Sequence, residues 1–112
     1  MSNVKEETIL QNDIRLAVSH YGIVIRHNVG KFRTADGRVI TIGIPGMSDL
    51  QYIGPGYIAW LEVKVGDNQP TQEQLNFIAQ MRALGHRAGV VRSVEEALDL
   101  IRGPKDDRCN IN

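Results

Sequence analysis

The chain has 112 residues, which is enough for one domain with a single core and too few for two. Its composition, 42% hydrophobic and 23% charged, is that of an ordinary globular protein, and its 13 basic side chains balance 13 acidic ones. A neutral total argues against a broadly basic nucleic-acid binder, so any affinity for DNA would have to come from locally clustered charge.

The first half of the chain predicts one helix followed by strands. Residues 4–21 carry apolar side chains at helical spacing, and a glycine ends the run. Residues 23–29 and 38–42 have the composition of strands, and the Asp36-Gly37 turn signal between them predicts a hairpin with a mobile arm. A glycine-rich loop then leads to a strand predicted over 48–53.

The second half predicts a buried strand, a helix, a short strand and a last helix. The run 57–65 begins with five apolar residues, so it should lie inside a sheet that is covered on both faces. The other predicted elements are a helix over 71–84, a strand over 87–92, a helix after the N-cap Ser93 through Ile101, and a disordered tail over 103–112. This order predicts a single α/β domain, with a mixed sheet flanked by helices on both sides.

Two acidic residues are predicted to face each other across a hairpin. On the strand 57–65, Glu62 and Lys64 share the face that changes from apolar to charged. If Gly54-Pro55-Gly56 forms the turn, Asp49 lies opposite Glu62, with the Cβ atoms about 5 Å apart. Two bare carboxylates there would repel, and a divalent cation such as Mg²⁺ removes the repulsion. The alternatives are a strand end that emerges into water and a turn-capping aspartate.

A helix acid and a helix amide are further candidates for the same site. Glu7 continues the apolar stripe of the first helix, which predicts that it points toward the sheet. Glu6 is the second choice, and either acid would also suit the positive end of the helix dipole. Gln74 forms a capping box with Thr71, which explains it without an active site, although its helix starts just after Lys64.

These residues form an ordered set of motifs that resembles a known family. Asp49, followed after twelve residues by Glu62-Val63-Lys64, is similar to the motif of the PD-(D/E)xK nuclease superfamily, except that Pro45 lies four residues before Asp49 instead of next to it. Over residues 5–100 the chain resembles a VRR-NUC domain. The motifs are Glu7-x-x-x-Gln11, Arg26-x-Asn28-x-Gly30, Gly43-x-Pro45-Gly46-x-Ser48-Asp49, Glu62-x-Lys64 and Gln74-x-x-Phe77.

The resemblance implies a restriction-endonuclease-like core and an endodeoxyribonuclease that hydrolyses phosphodiester bonds with Mg²⁺ or Mn²⁺. Asp49, Glu62 and the backbone carbonyl of Val63 would hold the ion, and Glu7 would complete the site directly or through water. Lys64 would orient the attacking water or balance charge in the transition state, and Gln74 would position Lys64 or the phosphate. The alternatives are a catalytically inactive DNA-binding module of the same fold and a structural protein with solvated charges.

A local excess of basic residues predicts contacts with DNA. Arg26, His27, Lys31, Arg33 and Arg38 lie within 13 residues that include a single acid, although a solvated hairpin explains them equally well. A lone catalytic core recognises DNA shape more readily than base sequence. Because a two-fold dimer matches the axis of a four-way junction, we expect a homodimer that prefers branched DNA such as Holliday junctions.

Cysteine usage and the distribution of apolar residues favour a cytoplasmic protein. Cys109 is the only cysteine, so it forms no intrachain disulfide. His20, His27 and His86 are too scattered for a zinc motif. The N-terminus has no apolar run typical of a signal peptide, and no segment reaches the roughly 20 apolar residues that span a membrane. We expect the cytoplasm, that of a host cell if the gene belongs to a phage, and no membrane partner.

Overall fold

The computed structural model of the protein describes residues 2–27 and 30–102. Its helices are α1 (Ser2–Val18), α2 (Gln72–Ala83) and α3 (Val94–Arg102). Its strands are β1 (Ile23–Arg26), β2 (Gly30–Arg33), β3 (Val39–Ile42), β4 (Leu50–Gly54), β5 (Tyr57–Val63) and β6 (Arg87–Val91). The predicted end of the first strand at 28–29, with the motif residue Asn28, and the predicted tail at 103–112 lie outside the described residues.

Four of these strands form a mixed sheet in the order β1-β4-β5-β6. β4 pairs antiparallel with both β1 and β5, whereas β6 pairs parallel with β5. The parallel pair requires a crossover, and α2 supplies it. The predicted class, a mixed sheet with helices on both sides, is confirmed.

The sheet separates two apolar clusters. On one face α1 and α3 pack against the strands, and on the other face α2 packs against β5 and β6. The first cluster has a buried centre of Ile14, Val18, Leu50, Tyr52, Ala59, Leu61, Val63, Val91, Ala97 and Ile101. The second has a centre of Trp60, Phe77, Ile78 and Ala88. β5 contributes to both, which explains why its residues from Ala59 onward are apolar on both faces until Glu62.

The predicted hairpin pairing was wrong in one respect. We expected 23–29 to pair with 38–42, but β1 pairs with β4, and the partner of β3 is β2 in a separate two-stranded sheet. The turn at Asp36-Gly37 lies where it was predicted, with Gly37 at φ +91°. β1 joins the main sheet because Val24 packs against the first cluster, whereas all four side chains of β3 are exposed.

Candidate active site

Asp49 and Glu62 face each other at one end of the main sheet. The register of β4 and β5 pairs Leu50 with Leu61, so the next pair along the hairpin is Asp49 and Glu62, as the sequence predicts. Glu62 is 1% exposed, and Asp49 beside it is half-buried. Two carboxyl groups therefore share a pocket that is largely closed to water.

Burial and mutual repulsion govern how this pair titrates. Burial raises the pKa of Glu62 to about 8, and the negative charge of Asp49 contributes to the rise. Burial also raises the pKa of Asp49, although hydrogen bonds from the Val63 backbone N–H and from Glu62 oppose the effect. In the absence of a cation, Glu62 therefore retains its proton up to about neutral pH.

Lys64 is the nearest basic side chain to the pair. Its Nζ lies 3.8 Å from Oε2 of Glu62, and the lysine side chain is only 13% exposed. Its backbone N–H donates to the carbonyl of Val91 at 3.1 Å, which ties this end of β5 to β6. The ammonium lowers the pKa of Glu62 but does not overcome the effect of burial. The acid and the base therefore lie side by side, as their spacing of two residues in the strand predicts.

The first turns of α1 bring a third acid to this end of the sheet. Glu7 is half-buried, and burial together with the charge of Asp49 raises its pKa, while Lys64 lowers it. Glu6, the second choice, is exposed. One turn further along the helix, Gln11 is buried, as expected for the face that meets the sheet. The geometry thus favours Glu7 over Glu6 as the helix acid of the site.

The site has the donor atoms that a hard divalent cation requires. Three buried oxygens in the described structure have no hydrogen-bond partner: Oγ of Ser48, Oδ2 of Asp49 and Oε1 of Glu62. Orphaned buried oxygens are unfavourable unless a cation or water satisfies them. Within the described residues, no three His, Cys, Asp or Glu side chains cluster closely enough to hold an ion. A cation here would therefore bind two carboxylates and complete its shell with backbone oxygen and water, as Mg²⁺ commonly does.

The loop before Asp49 packs tightly against the start of α2. Gly46 has φ +80°, and a Cβ atom there would lie 2.1 Å from the carbonyl oxygen of Glu73. Gln74, the next residue, forms the capping box: its Oε1 accepts from the Thr71 N–H at 2.9 Å, and its own N–H donates to Thr71 Oγ1 at 3.1 Å. The structure therefore places Gln74 near the loop that delivers Asp49, with its side-chain carbonyl already engaged in the cap.

His27 lies beside Asp49 on the other side of β4. Its backbone N–H donates to the Asp49 carbonyl at 2.9 Å, and its Nε2 lies 2.8 Å from Oε1 of Gln51. Its ring stacks on Trp60, with the centroids 5.5 Å apart. Gln51 and Trp60 were not among the residues that the sequence motifs predicted for the site. The signal was available, because Gln51 follows Asp49 by two residues and Trp60 precedes Glu62 by two, which puts both on the catalytic face.

The remaining predicted DNA contacts form a second group. Arg26 is exposed and close enough to lower the pKa of Asp49, so it lies with His27 near the carboxylates. Lys31, Arg33 and Arg38 are exposed on the β2–β3 hairpin. Arg33 donates to the Gly37 carbonyl at 2.9 Å, and Arg38 forms an exposed ion pair with Asp36 at 3.1 Å. Arg26 and His27 therefore lie near the carboxylates, and Lys31, Arg33 and Arg38 lie on the hairpin.

This fold and site define a nuclease-type domain with a restriction-endonuclease-like core. A solved structure described as a VRR_NUC domain is similar to the chain, with a TM-score of 0.60 and 26% sequence identity over 86% of this chain and 94% of that chain. The similarity confirms the predicted resemblance to VRR-NUC domains, which are members of the PD-(D/E)xK superfamily. No protein-family model and no curated protein matches the sequence. Across the described residues, none of the helices has the length and apolar character needed to cross a membrane.

Proposed function

We propose that the protein is an endodeoxyribonuclease that hydrolyses phosphodiester bonds in DNA and depends on Mg²⁺ or Mn²⁺. The observation that carries the proposal is the facing pair of Asp49 and Glu62, with two orphaned carboxylate oxygens and Lys64 alongside. Such a pair is unfavourable without a cation and suits one well. The similarity to a structure described as a VRR_NUC domain supports the same conclusion.

The ligands of the ion are proposed to be Asp49, Glu62 and the carbonyl of Val63, with Glu7 acting through water. The Val63 N–H reaches the Asp49 carboxylate, so the carbonyl of the same residue faces the same neighbouring strand. When bound, the ion polarises the scissile phosphate and lowers the pKa of the attacking water. Glu62 would have to lose its proton to hold the ion, because its pKa is raised to about 8 in the metal-free protein.

Lys64 has two roles in this proposal. Its ammonium, 3.8 Å from Oε2 of Glu62, would lie beside a phosphate bound at the carboxylates. There it orients the attacking water and balances the charge that develops on the phosphate oxygens. Gln74 lies beside the loop that carries Asp49 and is proposed to support Lys64 or the phosphate, through its amide group rather than its engaged carbonyl.

Alanine substitutions of the acids test the nuclease proposal. We expect Asp49→Ala and Glu62→Ala to reduce nicking of supercoiled plasmid by Mg²⁺ or Mn²⁺ at least about 100-fold, and Lys64→Ala about as much. Both acid variants should remain folded by circular dichroism, because each removes a carboxyl group whose ionised form is disfavoured by burial. Glu7→Ala should reduce nicking, whereas the exposed neighbour Glu6→Ala should not. Near-normal nicking by Glu62→Ala, or by wild type in excess EDTA, contradicts the proposal, and DNA binding without nicking indicates an inactive module.

We further propose that the protein works as a homodimer on branched DNA. The β2–β3 register puts Phe32, Ile40 and Ile42 on one face of the hairpin, and all three are more than 40% exposed. Lys31 and Arg33 occupy the opposite face. A two-stranded ribbon is marginally stable alone, so an exposed apolar face of this kind favours packing against a partner. A second copy of the chain could cover it and leave both basic faces free for DNA.

Two substitutions on neighbouring residues of β3 test this arrangement. Ile40→Glu places a charge on the apolar face and should give a monomer in light scattering at micromolar concentration. Thr41→Glu places the same charge on the basic face, so it should remain a dimer while binding DNA more weakly. Wild type should cut a four-way junction faster than linear duplex of the same sequence. A monomeric wild type contradicts the dimer, and equal cutting of the two substrates contradicts the substrate preference.

A further inference from the structure

The rings of Phe77, Trp60 and His27 contact one another in a row that leads from the core to the edge of the candidate site. Phe77, on α2, is 3% exposed and meets the ring of Trp60 edge-on, with the centroids 5.1 Å apart and the planes at 86°. Trp60 is 8% exposed and in turn supports His27, whose ring lies at 28° to its own. The two inner rings are buried and His27 is only half-buried, so His27 forms the outer end of the stack.

Several contacts hold the His27 ring in one orientation. Trp60 covers one face of the imidazole, Nε2 is bound to Gln51, and the backbone of His27 is hydrogen-bonded to Asp49. Because β1 pairs Arg26 with Leu50, His27 is the partner of Asp49 in the next register position. A rigid planar group is thus positioned immediately beside the carboxylates that are proposed to act on the phosphate.

The surroundings of the ring favour a base over a phosphate. Ile25 and Ile23 precede His27 on the same face of β1 and remain 38% and 63% exposed, so the open side of the ring continues into an apolar strip. A phosphate would lose hydration against this strip, whereas a nucleobase would gain contact area. Arg26 leaves β1 on the opposite face from His27, but its charge lowers the pKa of Asp49, so it lies near enough to the carboxylates to attract a phosphate there.

We propose that His27 is a stacking platform for an unpaired base next to the scissile phosphate. The inference rests on the proposed nuclease function and gives a residue-level reason for a preference for branched DNA. In an intact duplex each base is covered by its neighbours and cannot present a face to His27, whereas a nucleotide at a branch, gap or flap can. Phe77 and Trp60 are buried and the His27 ring is already held on Trp60, so ordering these side chains on DNA binding should add little entropic penalty.

A matched pair of forked DNA substrates tests the proposal. They are identical except that one has abasic sites in place of the nucleotides flanking the scissile phosphate. Wild type should cleave the normal fork about tenfold or more faster than the abasic fork, as expected for the loss of one stacked base. His27→Ala should cleave both forks at the same reduced rate. His27→Phe keeps a ring on Trp60 and should retain most of the difference, whereas His27→Gln keeps a polar partner for Gln51 and should lose it.

The result that overturns the proposal is a wild type that cleaves both forks equally, or a His27→Gln variant that behaves as wild type. If wild type cleaves neither fork, the nuclease proposal fails. The stacking role is then tested separately, by measuring the affinity of the protein for each labelled fork in EDTA by fluorescence anisotropy. Wild type should bind the normal fork about tenfold or more tightly than the abasic fork, and His27→Ala should bind both equally. Equal binding of the two forks by wild type overturns the stacking role.

Discussion

The electrostatic character of the site comes from one residue, Glu62. A buried glutamate between two apolar residues, here Leu61 and Val63 near the end of β5, is nearly always avoided unless it is paired or binds an ion. Its side chain is almost fully buried, its carboxyl group faces Asp49, and its pKa is raised to about 8. The protein therefore tolerates a buried acid whose ionised form is unfavourable in the metal-free state, which is typical of sites arranged for a function rather than for stability.

The raised pKa of Glu62 predicts how the stability of the metal-free protein depends on pH. The ordinary value is 4.5 and the folded value is about 8, so between these limits the folded state binds more protons than the unfolded state. The free energy of unfolding should therefore fall as pH rises from about 5 to 8, by about 1 kcal/mol or more. Urea titrations in EDTA at several pH values measure it.

Glu62→Gln is the matched control for this pH dependence, because it has nearly the same shape and no titration. Its free energy of unfolding should vary much less over the same range, and at pH 8 it should exceed that of wild type. The raised pKa of Asp49 acts in the same direction and remains in this variant, so a small slope is expected. A wild type that becomes more stable between pH 5 and 8 would contradict the assignment.

At the scale of elements, the loop before β4 is positioned by α2. The capping box of Thr71 and Gln74 fixes where α2 begins, and Gly46 then lets the loop backbone approach the first turn of the helix. Asp49 follows Gly46 by three residues, so the contact places this carboxylate at the end of β4. The helix and the acid are far apart in sequence, yet one backbone contact sets their relative position.

Gly46→Ala tests this contact. The new Cβ would lie 2.1 Å from the Glu73 carbonyl oxygen at a φ of +80°, so the loop must move. We expect a loss of about 2–4 kcal/mol in the free energy of unfolding and a reduced cleavage rate. Gly56→Ala is the control, because φ is +86° there but no described atom lies within 4 Å of the added Cβ. It should lose about 1 kcal/mol and keep its activity. Equal losses for the two variants would show that the contact with α2 is unimportant.

At the scale of the whole molecule, a cation should stabilise the fold, because the metal-free protein buries two carboxyl groups beside each other and leaves an oxygen of each without a hydrogen-bond partner. Mg²⁺ or Mn²⁺ that binds only the folded state raises the melting temperature, and an excess of 100 times the Kd adds about 2.7 kcal/mol. Because Glu62, with its pKa raised to about 8, must lose its proton to bind the ion, this shift should grow between pH 6 and 8. Differential scanning fluorimetry measures it, with Glu62→Gln as the control that should show little shift.

Ca²⁺ separates binding from cleavage in the same experiment. It should stabilise the protein and support DNA binding but allow little cutting, since its flexible coordination does not hold the reacting groups as Mg²⁺ does. Wild type that shows no thermal shift with any of the three ions would contradict an oxygen-ligand cation site.

Much of the molecule could be predicted from local patterns. Apolar periodicity, glycine turns and capping residues predicted all three helices and the strands of the main sheet to within a few residues. These signals depend only on residues that are close together in the sequence. The opposition of Asp49 and Glu62 followed from strand alternation and a short turn. The motif resemblance then predicted the class of the site.

Pairing and burial could not be predicted in the same way, because they depend on which distant segments cover each face. β1 pairs with β4 instead of the predicted hairpin partner, since Val24 gains burial in the core. The choice of Glu7 over Glu6 depends on how α1 lies on the sheet. Trp60 supports His27 only because β1, β4 and β5 are neighbours and α2 closes over their common face. Such contacts join residues that are distant in the sequence, 24 positions apart for Arg26 and Leu50 and 33 for His27 and Trp60. The free energy that selects them arises only when the whole chain packs.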